Sequence, residues 1–265
     1  MRLGRRGLWL IVLGVVSYLV FLIATLPAAH AWSWFGRKVP TQAFGLTGTV
    51  WSGNAAVVQA GPGRLDAVQW RVKPTALFLG RLGVDARARL PGDGRAEGDL
   101  QLAPGRLHGR DVKLNMPMAD LLRWTGARLA VGVDGRVDAL LRQVTMNQGR
   151  LTSADGVINW HQGVIRLGSR AIPLGEVALR LEPADDGTIG RLANQGGALR
   201  IAGTLRLNPD GTFTFDGNAN ATGQGDDEVR QALALLGMPA DGSPLQIKLA
   251  GSLDQGGVRL QPLTR

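Results

Sequence analysis

The sequence predicts a mainly β protein in which one N-terminal transmembrane helix precedes a curled antiparallel β-sheet with two short helices. Two observations carry this fold class: an uncharged apolar run near the N-terminus, and alternation of apolar and polar residues from Phe44 onward. A third is that the 38 glycines and 13 prolines of the 265-residue chain fall between short apolar runs. That distribution is typical of short strands joined by tight turns.

The predicted transmembrane helix covers residues 8–26. At a rise of about 1.5 Å per residue this run covers roughly 28 Å, which matches the hydrocarbon thickness of a bilayer. Arginines at positions 2, 5 and 6 precede it, and positive residues stay on the cytoplasmic side. The prediction is a single-pass protein of the bacterial inner membrane, with residues 1–7 as a cytoplasmic basic tail and the main domain in the periplasm.

Tryptophans flank the predicted span, and residues 27–43 are interpreted as a juxtamembrane linker. Trp9, Trp32 and Trp34 lie at the depths where amphipathic rings settle, which predicts contact with the membrane interface. A cleaved signal peptide is the alternative, because Ala29-His30-Ala31 reads as a cleavage site. The apolar run exceeds the roughly 7–15 residues of typical signal peptides, which favours an uncleaved anchor.

Residues 44–265 are predicted to form one periplasmic β-rich domain of about a dozen strands. Clean alternation indicates one buried and one wet face, as in antiparallel sheets. It is clearest over residues 82–90, 199–207, 213–216 and 245–253. Helical patterns occupy residues 117–124 and 226–236. The repetition of strands followed by a helix suggests two weak repeats, over residues 44–126 and 127–265.

Two short helices are too few to cover the apolar face of so many strands. The sheet is therefore expected to cover itself, by closing as a barrel or half-barrel, by stacking as a sandwich, or by curling into an open groove. An open groove would offer an apolar lining to a partner chain or to lipid, whereas a closed sandwich would not.

The residues give no sign of catalysis, and the chain is predicted not to be an enzyme. It has no cysteine, which excludes disulfides and thiolate metal sites. No catalytic, cofactor-binding or metal-binding motif is present, and His108 and His161 are interpreted as solvent-facing strand residues. The net charge of +9 comes from arginines scattered singly along alternating strands, so nucleic acid is not an expected partner.

A set of short motifs carries a more specific signal. Gly48-Thr49-Val50-Trp51-Ser52-Gly53 follows the predicted anchor, and three further elements come after it in order: Val68-Gln69-Trp70 with Pro74, Gly237-Met238-Pro239, and Ala250-Gly251-Ser252. The ordered set resembles the type II secretion system protein N family, also called general secretion pathway protein N. The motif residues are Gly48, Thr49, Trp51, Gly53, Trp70, Pro74, Gly237, Pro239 and Gly251.

The resemblance implies an accessory inner-membrane component of the machinery that exports folded proteins from the periplasm across the outer membrane. Such a component would act by contact with other inner-membrane components of the machinery. Family similarity also suggests kinship with AsmA/TamB-like proteins, and the alternative function is lipid binding or lipid transfer in an apolar β-groove.

The motif itself is expected to be structural. Gly48 and Gly53 would allow close approach of strands, and Trp51 would be a buried plug. Trp51, Trp70 and Trp160 are all assigned to the core rather than to a binding surface.

Overall fold

The structure is a computed structural model that describes residues 5–35, 41–60, 63–74, 80–125, 131–222, 243–254 and 257–261. In these ranges the chain is mainly β, as predicted. Its helices are α1 (Arg5–Ala24), α2 (Ala28–Phe35) and α3 (Met118–Thr125). The third begins directly after Pro117, which confirms the shorter of the two helical patterns in the β domain.

The first seven strands are β1 (Thr41–Phe44), β2 (Thr47–Gly48), β3 (Ser52–Ala60), β4 (Gly63–Lys73), β5 (Leu82–Leu90), β6 (Gly94–Ala103) and β7 (Arg106–Pro117). The others are β8 (Gly132–Asn147), β9 (Arg150–Leu167), β10 (Arg170–Ala184), β11 (Gly187–Gln195), β12 (Leu199–Leu207), β13 (Thr212–Ala221), β14 (Leu245–Asp254) and β15 (Gly257–Gln261). The four segments with the clearest alternation all lie in strands.

These strands form one sheet in which nearly every strand pairs with its neighbour in sequence. The order is β1-β3-β4 and then consecutively to β15, with the two-residue β2 paired to β3. All pairs are antiparallel. In the described part of the chain β1 and β15 are the outer strands and do not pair with each other, so the sheet is open rather than a sandwich.

The strand register sorts the side chains onto two faces. Gln69, Arg87, Glu97 and Lys113 stand opposite one another on successive strands and define a polar face. The neighbouring row consists of Ala88, Ala96, Leu114, Ala139 and Ile158. Directly opposed residues of antiparallel strands point to the same side, so the second row defines an apolar face.

Helix α3 covers part of the apolar face in the first half of the sheet. It lies against β4, β7 and β8, and the Trp124 ring closes on Gly63, where an added Cβ would lie 2.0 Å from Nε1. At this end of the strands Leu90, Met116 and Val137 are buried. We call the end of the strands that α3 covers the far end of the sheet.

The second half of the sheet covers its apolar face by curling. Ile172, Leu174, Leu199 and Ala219 form a buried cluster. Partly buried apolar side chains pack against it: Trp160, Ile165, Leu167, Val177, Ile201 and Ile247. These residues come from β9, β10, β12, β13 and β14, so five strands of the described chain contribute to one close-packed core.

The segment between the predicted anchor and the sheet differs from the expectation. Residues 27–43 were assigned to a linker, but they contain α2 and the first three residues of β1. The edge strand therefore begins at Thr41 rather than at residue 44. The helix predicted over residues 226–236 lies outside the described residues. Strands β7 and β8 pair directly across the boundary between the suggested repeats, and the two repeats stay a prediction.

Among the residues that the structure describes, no helix is both long enough and apolar enough to cross a membrane. The span over residues 8–26 stays a prediction.

Candidate functional site

The first family motif forms a tight hairpin loop between β2 and β3. Thr47 pairs with Asn54 and Gly48 with Gly53, which leaves residues 49–52 as the loop. The Thr49 amide donates to the Ser52 carbonyl at 2.9 Å, and the Ser52 amide donates to Thr49 Oγ1 at 3.2 Å. Both bonds close the loop on itself, so the threonine of the motif has a conformational role.

Two glycines allow the backbone of this loop to approach its neighbours closely. Gly48 has φ of +84°, and a Cβ added there would lie 2.5 Å from the Ser52 carbonyl oxygen. A Cβ on Gly53 would lie 2.5 Å from the Thr47 carbonyl oxygen and 2.6 Å from the Trp70 ring. Since most of these obstacles are backbone atoms that cannot rotate away, both positions require glycine.

The same loop binds the chain just where α1 ends. Trp51 Nε1 donates to the Ile23 carbonyl at 2.8 Å, and the Val50 amide donates to the Leu26 carbonyl at 3.0 Å. Pro27 and Thr49 also form an isolated β-bridge. The last carbonyls of a helix have no partner within the helix, so the motif supplies donors at the end of α1.

On its other side the loop is bonded to the sheet. The Val72 amide of β4 donates to the Trp51 carbonyl at 2.7 Å, and Trp70 Nε1 donates to the Val50 carbonyl at 3.1 Å. The loop therefore connects α1 to β4. We call residues 23–27 together with residues 48–53 the helix–sheet junction.

The two motif tryptophans act through their polar N–H groups as well as by packing. Trp51 and Trp70 are half-buried, so the expectation that Trp51 is a buried plug is wrong. Trp160 is also half-buried and donates to the Asp134 carbonyl at 2.9 Å. Sequence reasoning missed these bonds because a tryptophan needs a hydrogen-bond partner when it is covered, but nothing in the sequence identifies which carbonyl that is.

The other predicted site residues lie elsewhere. Pro74 is exposed at the end of β4, and Gly251 is buried in β14 opposite Phe213, eleven places along the strand order from β3 of the junction. Gly237 and Pro239 lie outside the described residues. Of the predicted interface residues, Trp9 and Trp34 are exposed, while Trp32 is half-buried.

The polar face carries a ladder of paired charges. Lys73 Nζ lies 2.9 Å from Asp85 and 2.8 Å from Asp99, and the hydrogen bonds that it donates to Asp99 and then to Asp85 raise its pKa. Lys113 Nζ lies 2.8 Å from Glu97. These groups are largely exposed, and exposed pairs contribute little to folding, so their main effect is to set the charge pattern of the surface.

The two histidines of the sheet make polar contacts that the sequence did not predict. His161 lies between two carboxylates, with Nε2 3.1 Å from Asp138 and Nδ1 2.5 Å from Glu176. A hydrogen bond from the Gln162 amide is the main cause that lowers the pKa of Glu176, and His161 adds to it. His108 Nδ1 is 3.1 Å from Thr145 Oγ1. The His161 side chain is 44% exposed, in agreement with a solvent-facing strand residue, whereas His108 is half-buried.

An open recess of about 1450 Å³ lies between β4 and β9, and its lining includes residues of the polar face and residues of the apolar face such as Ala88 and Leu114. Its charged lining residues include Arg87, Arg89, Glu97, Lys113 and Asp138. The lining therefore carries charges of both signs. Within the described ranges, no group of three or more histidines and carboxylates is arranged to hold a metal ion.

Comparison with known proteins gives a family. The profile of "Type II secretion system (T2SS), protein N" matches residues 41–259. The chain is similar to the type II secretion system protein N of Aeromonas hydrophila, with 26% identity over 233 residues, which covers 85% of this chain and 90% of that protein. The protein of the same name from Vibrio cholerae is 25% identical over 161 residues, which covers 59% of this chain and 63% of that protein.

No solved structure matches this chain. The comparisons give no support for the suggested AsmA/TamB kinship, and the lipid-transfer alternative that depended on it is not favoured. The family match extends from the first residues of β1 to β15 and includes the hairpin motif. The chain therefore belongs to the type II secretion system protein N family.

Proposed function

We propose that this protein is an accessory inner-membrane component of the type II secretion machinery and acts by protein contact rather than by turnover. The observation that carries the proposal is the family match over residues 41–259. The Aeromonas protein, named as a type II secretion protein, aligns over 90% of its own length, so the two chains share nearly their whole extent.

The proposed location is the inner membrane, with residues 8–26 as the anchor, the N-terminus in the cytoplasm and the sheet in the periplasm. Large apolar side chains of α1 support it, because Leu13, Tyr18 and Phe21 are exposed at 60%, 65% and 65%. A row of exposed apolar side chains needs cover from outside the chain, and lipid supplies it.

The proposed contact surfaces are the sheet edges and the polar face. Outer strands have backbone N–H and C=O groups that accept a partner strand. On the polar side of β12, Arg200 and Arg206 are exposed. Exposed charges contribute little to folding but steer association, so these arginines suit docking to an acidic surface of another inner-membrane component.

A complementation experiment tests the proposal in a strain that lacks the gene. We expect R200E/R206E to reduce secretion and crosslinking to the other inner-membrane components, while protease resistance of the sheet stays normal. We expect H108A and H161A, which remove the two histidines of the sheet, to leave secretion largely intact. If a single histidine or carboxylate substitution abolished secretion while folding and crosslinking stayed normal, an enzymatic role would replace this one.

Intact-mass measurement tests the anchor separately. Protein extracted from the inner membrane should retain residues 8–26. A mature chain that begins at Trp32 would show that the segment is a cleaved signal peptide.

A further inference from the structure

A stripe of large apolar side chains crosses five strands at the end of the sheet opposite α3. Leu82 pairs with Leu102, Leu102 with Leu107, Leu107 with Met146, and Met146 with Leu151. We call these five residues the junction rim. They cross four strand spacings, or about 19 Å, along the end of β5 to β9.

The junction rim is not covered by the rest of the described chain. Leu82 and Leu102 are 37% and 38% exposed, while Leu107, Met146 and Leu151 are half-buried. At the far end of these strands, Leu90 and Met116 are only 4% and 0% exposed. Apolar side chains of one face are therefore buried at the far end and open at the rim, so the rim lacks a partner within the described chain.

The rim lies at the same end of the sheet as the helix–sheet junction. Trp51, whose indole binds the end of α1, accepts a backbone hydrogen bond from Val72. Val72 stands opposite Val84, and Leu82 is two residues further along β5 toward the strand end. That difference is about 7 Å at the rise of a strand. The junction therefore places the Leu82 end of the rim near the point where α1 ends, and the rim extends from there toward β9.

Exposed arginines flank the rim. Arg81 precedes Leu82, Arg106 precedes Leu107 and Arg150 precedes Leu151, and all three side chains are exposed. The described part of the structure contains no ion pair of Arg81 or Arg106. Arg150 is partly compensated by Asp210, whose pKa is lowered chiefly by hydrogen bonds from Thr212 and in smaller part by this arginine.

We propose that the junction rim rests on the anionic headgroup surface of the bilayer that holds the anchor, with its leucines in the interface and Arg81 and Arg106 on lipid phosphates. The proposal rests on the inner-membrane location proposed above. Apolar side chains beside arginines form the pattern that binds membrane interfaces, because the arginine stems lie along apolar surface while the guanidinium groups reach the headgroups. The rim thereby sets the tilt of the sheet relative to the membrane.

The absence of cysteine makes a direct test possible in the full chain. L102C places one label on the rim, L82C repeats the measurement at its neighbour, and S169C places a label in the exposed turn at the far end. Each variant carries an environment-sensitive fluorophore. The protein is reconstituted in nanodiscs of phosphatidylcholine with phosphatidylglycerol, with and without lipids that carry a nitroxide quencher at the headgroup.

We expect the nitroxide to quench the labels at positions 102 and 82 but not the label at position 169. R81E and R106E should each weaken the contact by at least about fivefold, because one arginine near an anionic surface contributes an attraction of that size and the introduced glutamate adds repulsion. High salt or discs without phosphatidylglycerol should weaken it similarly. R123E, which reverses an exposed charge on α3 at the far end, serves as the matched control and should leave the quenching unchanged.

Three outcomes would overturn the proposal. Labels at positions 102 and 82 that are not quenched would show that the rim stands away from lipid. Equal quenching at positions 102 and 169 would show that the sheet has no fixed orientation. Secretion lost in R81E and R106E with quenching unchanged would show that these arginines bind a protein. Carbonate extraction is done first: a released chain refutes the anchor as well, whereas a retained chain without quenching refutes the rim alone.

Discussion

At the end of the sheet near the junction, large apolar side chains are exposed on strands β5–β9 but buried on strands β11–β13. In the first group Leu82 and Leu102 stand at strand ends and are more than a third exposed. In the second group Leu207 and Phe213 face each other at strand ends, and both are buried. The comparison shows that position within a strand does not determine burial in this sheet.

The difference comes from curvature. In the second group Thr188 of β11 is 2% exposed, and its Oγ1 accepts a hydrogen bond at 2.9 Å from the Ala154 amide of β9. This bond joins two strands that are not neighbours, so the sheet bends until its apolar face meets itself. In the first half of the sheet α3 lies against β4, β7 and β8 at the far end instead, and a helix of that length covers only one end of the strands.

The largest expected effect comes from truncating an apolar side chain in each group. F213A should lower the free energy of unfolding by about 3–5 kcal/mol, since it empties a buried aromatic site. L102A on the open rim should cost no more than about 1 kcal/mol. Urea unfolding of the purified protein in detergent measures both. Equal losses would mean that the rim is covered and that the contrast between the two groups is wrong.

A smaller effect is expected at the junction, which holds the first group to α1. G53A should cost about 1–3 kcal/mol, because its Cβ would collide with the Thr47 carbonyl oxygen and the Trp70 ring. G14A is the matched control, since no atom lies within 4 Å of the added Cβ in α1. The same unfolding measurement should show no loss for the control. A stable G53A protein would show that the loop can relax around the extra carbon.

We expect the indole N–H of Trp51 to contribute less to the free energy of unfolding than the packing of its ring. W51F keeps much of the packing but removes the bond to the Ile23 carbonyl, and it should cost about 0.5–1.5 kcal/mol. Amide hydrogen exchange at Val50 and Val72 should become faster in this variant, because both amides are bonded within the junction. Unchanged exchange would mean that packing of the Trp51 ring, and not its hydrogen bond, holds α1 to the sheet.

The smallest effect is a pH dependence on the polar face. The pKa of Glu176 is held below its ordinary 4.5 in the folded protein, so its contribution is fully present above that pH. It is lost as the pH falls through the lowered value, because the folded state binds the proton less readily than the unfolded state. E176Q should therefore lose less stability on acidification than the wild type. D186N, in the exposed turn before β11, is the control and should follow the wild-type curve.

Most strands could be predicted because alternation is a local property. Leu199 to Leu207 and Leu82 to Leu90 alternate cleanly, and both are strands with those bounds. The helix after Met116 was signalled by Pro117 at its start. Curvature could not be predicted, because it depends on contacts such as Thr188 with Ala154 that no periodicity shows. Helix α2 was not predicted, because its tryptophans were interpreted as membrane-interface residues and the helical spacing of this short apolar segment was not considered.

The glycines of the junction could be predicted from the sequence, but its hydrogen bonds could not. Gly48 and Gly53 indicated close backbone approach, and the structure gives the atoms that they approach. The partner of Trp51 lies 28 positions earlier in the chain. A hydrogen bond from a side chain to so distant a carbonyl leaves no pattern in a single sequence. Family membership was predictable from the ordered motifs even though the contacts of the first motif were not.

The strand order has a consequence for how this protein is made. Because each strand from β3 onward pairs with the one that follows it, every new strand finds its partner already present when it is synthesised. Chains dominated by such near-neighbour contacts fold quickly, and little loop entropy is lost at each step. Assembly can proceed from the N-terminal end of the sheet as a succession of hairpin additions, with a single growing edge exposed at any moment. A translation pause within a strand would leave a shorter sheet, but not a misordered one.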